Sequence, residues 1–195
     1  MDIVAPLQGK LAHERTLEEF VGKKPVINPA FSFWKEETFY LFRLPFLGDY
    51  TLKAENIFKT KPTIYGTSDP NVTSLLYHRC HVGVLDNEPT YALLVVDTVD
   101  ANTGETFIEK GVVGEFYRDD FGLNILGISE AYRGKGIAPH FVASAIEVTG
   151  NVEPSGAYSP AGLATRKKAH RILVENAIKR GDAVPMVVLE EMGKA

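Results

Sequence analysis

The chain has a single cysteine, Cys80, among 195 residues, so it closes no intramolecular disulfide and its fold needs no oxidising compartment. Long apolar runs are missing. The longest, residues 91–96, is strand-sized and far short of the roughly 18–20 residues that cross a bilayer. The opening Met1-Asp2-Ile3-Val4-Ala5-Pro6 lacks the basic flank and apolar stretch of a secretory signal. There is no excess of basic charge: 21 Lys and Arg face 25 Asp and Glu, a formal net charge of −4. That disfavours general nucleic-acid binding and leaves a local basic patch open. Repeats and low-complexity segments are absent. These absences predict a cytoplasmic protein with no membrane partner.

What is present is the balance of a globular domain, with 45% hydrophobic and 24% charged residues, enough for a sizeable core. Thr16-Leu17-Glu18-Glu19 has the spacing of a capping box and predicts a short helix over 17–21, stopped by Gly22 and Pro25. Residues 31–65 are rich in aromatics and broken by Pro45, Gly48 and Pro62. They read as strands and loops joining a core, with a substrate-covering element as the sharper alternative. Residues 74–85, 90–99 and 106–117 are rich in β-branched and aromatic side chains and predict strands. The polar segment 100–105, with its turn-type Gly104, joins the last two into an antiparallel hairpin. Residues 123–128 predict one more short strand.

Two helices follow. The first spans about 136–148, with Ile137, Phe141, Val142, Ala145 and Ile146 on one stripe and Pro139 tolerated in the first turn. The second starts at Pro160, capped by Ser159, and runs to Arg180 with Gly181 as its stop. Residues 184–189 fit a strand or a short helix equally well.

The segment that carries chemistry is Asn124-Ile125-Leu126-Gly127-Ile128-Ser129-Glu130-Ala131-Tyr132-Arg133-Gly134-Lys135-Gly136-Ile137-Ala138. It reads as a strand, a glycine-rich basic turn and an apolar helix. Such a turn leaves backbone N–H groups unpaired at a helix N-terminus, where their partial positive charge suits a phosphate. Gly134 and Gly136 permit close approach, and Arg133 and Lys135 add full charges. Neither a Walker loop nor a dinucleotide fingerprint is present. The hexapeptide Arg133-Gly134-Lys135-Gly136-Ile137-Ala138, preceded by a strand and Tyr132, resembles the R/Q-x-x-G-x-G/A motif of the GNAT acetyltransferase superfamily.

The resemblance implies an α/β fold: a mixed, mostly antiparallel sheet flanked by helices. Residues 1–70 would be an N-terminal extension packed on the core, and 71–195 the acyl-coenzyme A-binding domain. It implies acetyl-coenzyme A as co-substrate, its pyrophosphate held by Arg133, Gly134, Lys135, Gly136, Ile137 and Ala138, its pantetheine arm by the backbone of Leu126, Gly127 and Ile128. The implied reaction is transfer of the acetyl group to an amine on a small molecule or protein. Other transferases of this fold, with a different acyl donor or a nucleotide or nucleobase acceptor, and a non-catalytic binding module remain alternatives. A homodimer stays open.

Amine acylation needs a base for the nucleophile, a donor for the oxyanion and a proton for the thiolate. By position Glu115 is the first candidate base, with Glu130, Asp119 and Asp120 behind it, and the backbone N–H near Ile128 is the oxyanion donor by resemblance. Here the chain departs from the family: the usual tyrosine of the last core helix is missing, so Tyr158, Ser159 or His170 stands in for the acid, or water does. Arg166, Lys167, Lys168, His170 and Arg171 read as a solvated helix face, with a contact to a phosphate as the alternative. His78, Cys80 and His81 lie close together, but no further ligand completes a metal site, and none is expected; Cys80 lacks an activating context for a nucleophile.

Overall fold

The computed structural model describes residues 9–29, 48–66 and 73–194; residues 31–47 of the aromatic-rich region lie outside them. After a 3-10 turn at Ala12–Glu14 come helix α1 (Leu17–Val21) and strands β1 (Val26–Ile27), β2 (Tyr50–Lys59) and β3 (Thr63–Gly66). Then follow β4 (Thr73–Leu85), β5 (Glu88–Asp100), β6 (Thr106–Arg118) and β7 (Asn124–Ile128). A 3-10 turn at Glu130–Tyr132 leads into helix α2 (Ile137–Thr149), strand β8 (Ala157–Tyr158) and helices α3 (Pro160–Arg180) and α4 (Met186–Glu191).

The sheet runs β2-β4-β5-β6-β7, with β3 also on β4, and every pair in it is antiparallel. The short β1 and β8 pair in parallel. The architecture is thus mixed α/β, a mostly antiparallel sheet flanked by helices. Residues 48–66 belong to the same sheet as 73–128, whereas 9–29 dock on α3 through Phe20, which is fully buried, and through His170 Nε2 on the Arg15 carbonyl at 2.8 Å. No helix among the described residues is long and apolar enough to cross a membrane.

Strand parity builds the core. Cys80 lies opposite Val96 and Val82 opposite Leu94, and this face packs on Phe141, Val142 and Ile146 of α2 and Leu173 of α3. The other parity sets Leu85, Tyr91, Leu93 and Val95 into a second cluster. Both faces of β5 are therefore buried, which explains why residues 91–96 form a continuous apolar run rather than an alternating one. Phe141 is completely buried against the sheet, and cutting it to alanine would cost about 3–5 kcal/mol.

Helix ends follow local chemistry. Thr16 Oγ1 accepts the Glu19 N–H while the Glu19 carboxylate accepts the Thr16 N–H, the reciprocal pair the sequence spacing predicts. Ser159 Oγ accepts the Gly162 N–H, and Gly181 ends α3 in the left-handed conformation. Residues 186–191 resolve the open reading in favour of a helix, anchored by buried Val188.

The basic cluster on α3 is not a uniform solvated face. Arg166 and His170 turn inward on the same stripe as Leu163 and Leu173. The Arg166 guanidinium lies 3.9 Å from the Phe20 ring centroid, and its Nη2 donates to the carbonyls of Val152 and Glu153 at 2.8 and 3.0 Å. Burial lowers its pKa to about 10, and Nε and Nη1 have no hydrogen-bond partner among the described residues. Lys167, Lys168 and Arg171 are exposed.

Candidate functional site

β7 is the last strand of the sheet, and among the described residues no strand pairs with its outer edge. Its inner edge lies on β6, with Gly127 opposite Glu115 and Ile128 opposite Gly114. Gly114 is required there: a Cβ would sit 2.6 Å from Leu94 Cβ and 3.1 Å from the Gly127 carbonyl. In an antiparallel pair the backbone groups of alternate residues point to opposite edges. The Ser129 N–H donates to Val113 O, so residues 125, 127 and 129 face β6, and the N–H groups of Leu126 and Ile128 face outward.

Segment 150–156 covers only the start of that edge. Ser155 Oγ accepts the Asn124 N–H at 3.0 Å, and the Gly156 N–H donates to Gly122 O at 3.1 Å. The chain then enters β8, which pairs with β1 instead of β7. Two arginines clasp the segment where it parts from the strand: Arg118 Nη1 on Pro154 O at 2.9 Å, and Arg166 on Val152 and Glu153. At the far end of β7, Arg133 Nε folds back to donate to the Ile128 carbonyl at 2.7 Å. The result is a strand edge on which, among the described residues, no strand pairs around Leu126 and Ile128.

Immediately beyond it the chain turns into α2. Gly134 and Gly136 have φ of +70° and +76°, left-handed angles that favour glycine. Gly136 is the N-cap residue and offers no side chain, and no acidic residue lies in the first turn. The positive end of a 13-residue helix therefore faces the exposed turn with no side-chain cap. Ile137 and Ala138 supply the first helical N–H groups, and Pro139 has none to satisfy.

Lys135 departs from the sequence expectation. Its ammonium is drawn onto the sheet, 3.1 Å from His78 Nε2 on β4 and 3.4 Å from the Tyr65 hydroxyl on β3. A lysine ammonium only donates, so Nε2 accepts and the imidazole proton sits on Nδ1, 3.0 Å from Thr98 Oγ1. Burial first, and the neighbouring Lys135 charge second, hold the His78 pKa below its ordinary value. His140, in the first turn of α2, stacks on Phe58 with ring centroids 4.4 Å apart, and burial lowers its pKa too.

No family model, curated protein or solved structure matches this chain.

Among the candidate residues, the structure brings Leu126, Gly127, Ile128, Arg133, Gly134, Lys135, Gly136, Ile137 and Ala138 together as one edge and turn. Glu115 lies one strand in from the β7 edge, 2% exposed, and the Tyr91 hydroxyl donates to its Oε2. Tyr91 in turn stacks on Tyr117. The Tyr158 hydroxyl accepts the Ser155 N–H at 2.9 Å, and the Ser159 hydroxyl is engaged as the cap of α3. Asp119 Oδ1 accepts the N–H groups of Phe121 and Leu123 and so shapes the turn before β7; Glu130 and Asp120 are exposed.

Cys80 is fully buried, and burial together with Asp97 pushes its thiol up to about 12, so it stays protonated. His81 is held between Asp97 Oδ2 and the Asn56 N–H, each at 3.1 Å. No group of three or more His, Cys, Asp or Glu among the described residues could hold a metal ion. Two surface hollows, of about 480 and 350 Å³, are lined by other residues, including Val184 and Leu189 for the first and His140, Glu147 and Glu175 for the second. The turn itself is exposed at Arg133, Gly134 and Gly136. His78, read in the sequence only as a possible metal ligand, and Tyr65 are the residues at the turn that sequence reasoning did not place there, because nothing in the sequence pairs them with Lys135.

Proposed function

We propose that this chain binds acyl-coenzyme A across the edge of β7 and the turn into α2, and moves an acetyl group from acetyl-coenzyme A to an amine, as GNAT acetyltransferases do. The observation that carries the reading is a strand edge with no strand paired to it among the described residues, followed by a helix start without a side-chain cap. An extended, amide-bearing arm ending in a pyrophosphate needs both features in that order. The Leu126 N–H would bind an amide carbonyl of the arm as a further strand binds an edge, leaving the Ile128 N–H for the thioester end. The N–H groups at Gly136, Ile137 and Ala138 would hold the pyrophosphate.

Bound acetyl-coenzyme A supplies the thioester, and the chain supplies orientation and charge. The Ile128 N–H, pointing outward, is placed to donate to a developing oxyanion. Glu115, opposite Gly127 in the ladder, is the described carboxylate nearest in register to that edge and is the candidate acceptor of the amine proton, with Tyr91 orienting it. A second reading, binding without transfer, is favoured by the engagement of the Tyr158 and Ser159 hydroxyls in holding β8 and α3.

Calorimetry with acetyl-coenzyme A tests the donor site, comparing the native chain with Gly134→Asp. Aspartate tolerates the left-handed angle better than most residues and puts a negative charge where the phosphate would lie. Micromolar binding lost in a variant that melts normally would support the site. Absence of binding to any acyl-coenzyme A by the native chain would remove it. Turnover across an amine panel then separates transfer from binding alone.

A further inference from the structure

We propose that His78 is a positioning residue for Lys135: while neutral it stores the lysine ammonium on β4, and on taking a proton it releases that ammonium to a phosphate seated at the turn. The phosphate is that of the donor proposed above, so the proposal rests on that reading and concerns the regulation of the same site.

The argument begins with where Lys135 is. It sits between the two left-handed glycines of the turn, yet its ammonium lies 3.1 Å from His78 Nε2 and 3.4 Å from the Tyr65 hydroxyl. It also lies 5.9 Å from the Tyr132 ring centroid. The stored position is thus defined by one nitrogen acceptor and two aromatic side chains, and no carboxylate among the described residues forms an ion pair with it. His78 is held from every side. Its backbone N–H donates to Thr60 Oγ1 at 2.8 Å, its Nδ1 meets Thr98 Oγ1 at 3.0 Å, and its ring lies 4.9 Å from that of Tyr132. The titratable groups facing it are Lys135 from the turn and, close by, Tyr132 from the 3-10 turn and Tyr65 from β3.

Protonation is incompatible with this arrangement. With a proton on each ring nitrogen, Nε2 stops accepting and presents a second positive charge to the ammonium. The His78 ring is buried and locked at both ends; Lys135 is partly exposed on a flexible stem. The lysine is the partner that moves, and the exposed turn carrying Gly134 and Gly136 is beside it. Linkage makes the effect reciprocal: if a proton on His78 strengthens phosphate binding, a bound phosphate makes His78 easier to protonate by the same factor. Burial lowers the His78 pKa first, and the stored lysine charge beside Nε2 lowers it further.

The test is coenzyme A binding by calorimetry at pH 8 and pH 6 for the native chain, His78→Gln and Lys135→Met, with the His78 imidazole followed by NMR. Glutamine still accepts from Lys135 but cannot titrate, so the ligand's own ionisation and that of His140 cancel in the comparison. Between the two pH values the native chain should gain about tenfold more affinity than His78→Gln, within the range of site-to-site couplings. Lys135→Met should bind more weakly without that extra gain. Its His78 resonance, and that of the native chain saturated with coenzyme A, should titrate at higher pH. Equal gains in the native chain and His78→Gln, with binding intact, would overturn the storage role and leave the donor reading standing. No coenzyme A binding at either pH would overturn both. Should His78→Gln fail to fold, a His78 titration unmoved by Lys135→Met overturns the proposal alone.

Discussion

Helix α3 opens on Ser159, whose hydroxyl accepts the Gly162 N–H, with Pro160 filling a position that needs no donor; helix α2 opens on Gly136, which has no side chain to offer and follows a second left-handed glycine. Each start comes soon after a strand, β8 for α3 and β7 for α2. One has closed its orphan donors with its own chemistry, and the other leaves its start uncapped at an exposed turn. An uncapped start is a stability cost that a fold tolerates where something else can meet the donors. The proposed donor site rests on that difference: the α2 start is left for a ligand to meet, while the α3 start is closed by its own cap.

Making the α2 start resemble the α3 start should have the largest effect. Gly136→Asp supplies a capping carboxylate at the turn; coenzyme A affinity by calorimetry should fall about 100-fold, the worth of one or two charge-assisted hydrogen bonds. Stability should change little, because the new cap offsets the left-handed strain of about 1–2 kcal/mol. Making the α3 start resemble α2 inverts the pattern. Ser159→Ala should cost about 1 kcal/mol in denaturant unfolding while leaving coenzyme A affinity unchanged. A loss of binding in that variant would place Ser159 in the site and spoil the contrast.

Acid should separate the two regions further. His170 on α3 is buried, and burial is the main cause that lowers its pKa. Its contribution to stability is fully present above its unfolded value near pH 6.5 and is lost as pH falls through the lowered folded value. Thermal melting should therefore drop on acidification over the interval in which His78 strengthens ligand binding, and His170→Gln should flatten part of that drop. The smallest effect belongs to the outward residues of α3. Replacing Lys167 and Lys168 with serine should alter stability by less than about 0.5 kcal/mol, and an unchanged coenzyme A isotherm would exclude them from the donor site.

Much of this was legible in the sequence because it is local. The Thr16 capping box, the Ser159 cap and the Gly181 stop each act within four residues, and the helices form where those signals put them. The left-handed turn at Gly134 and Gly136 is local as well. What depends on partners far along the chain was not legible. Lys135 and His78 are 57 residues apart and meet only through the register of β4, so the lysine's stored position has no signature of its own. Two residues cannot announce a strand, and β8 exists because β1, more than a hundred residues away, pairs with it. Arg166 was the harder error: charge argued for an outward side chain, whereas its place on the stripe of Leu163, His170, Leu173 and Ala177 argued inward, and the stripe prevailed. Residues 186–191 carry too few apolar positions to distinguish helical from strand periodicity.

The docking of residues 9–29 has a consequence for the birth of the molecule. Strands β4 to β7 form a meander whose neighbours are consecutive, so each hairpin can close as soon as it leaves the ribosome. The earlier segment has no such near partner. Arg15 waits for Glu153, 138 residues later, and for His170; the Leu17 N–H waits for Glu191, 174 residues later. This segment is therefore tied down only after the strands that follow it, and Phe20 waits for its contact with His170 until α3 has been made. Until α3 emerges, the nascent chain carries a strap whose helix does not yet exist.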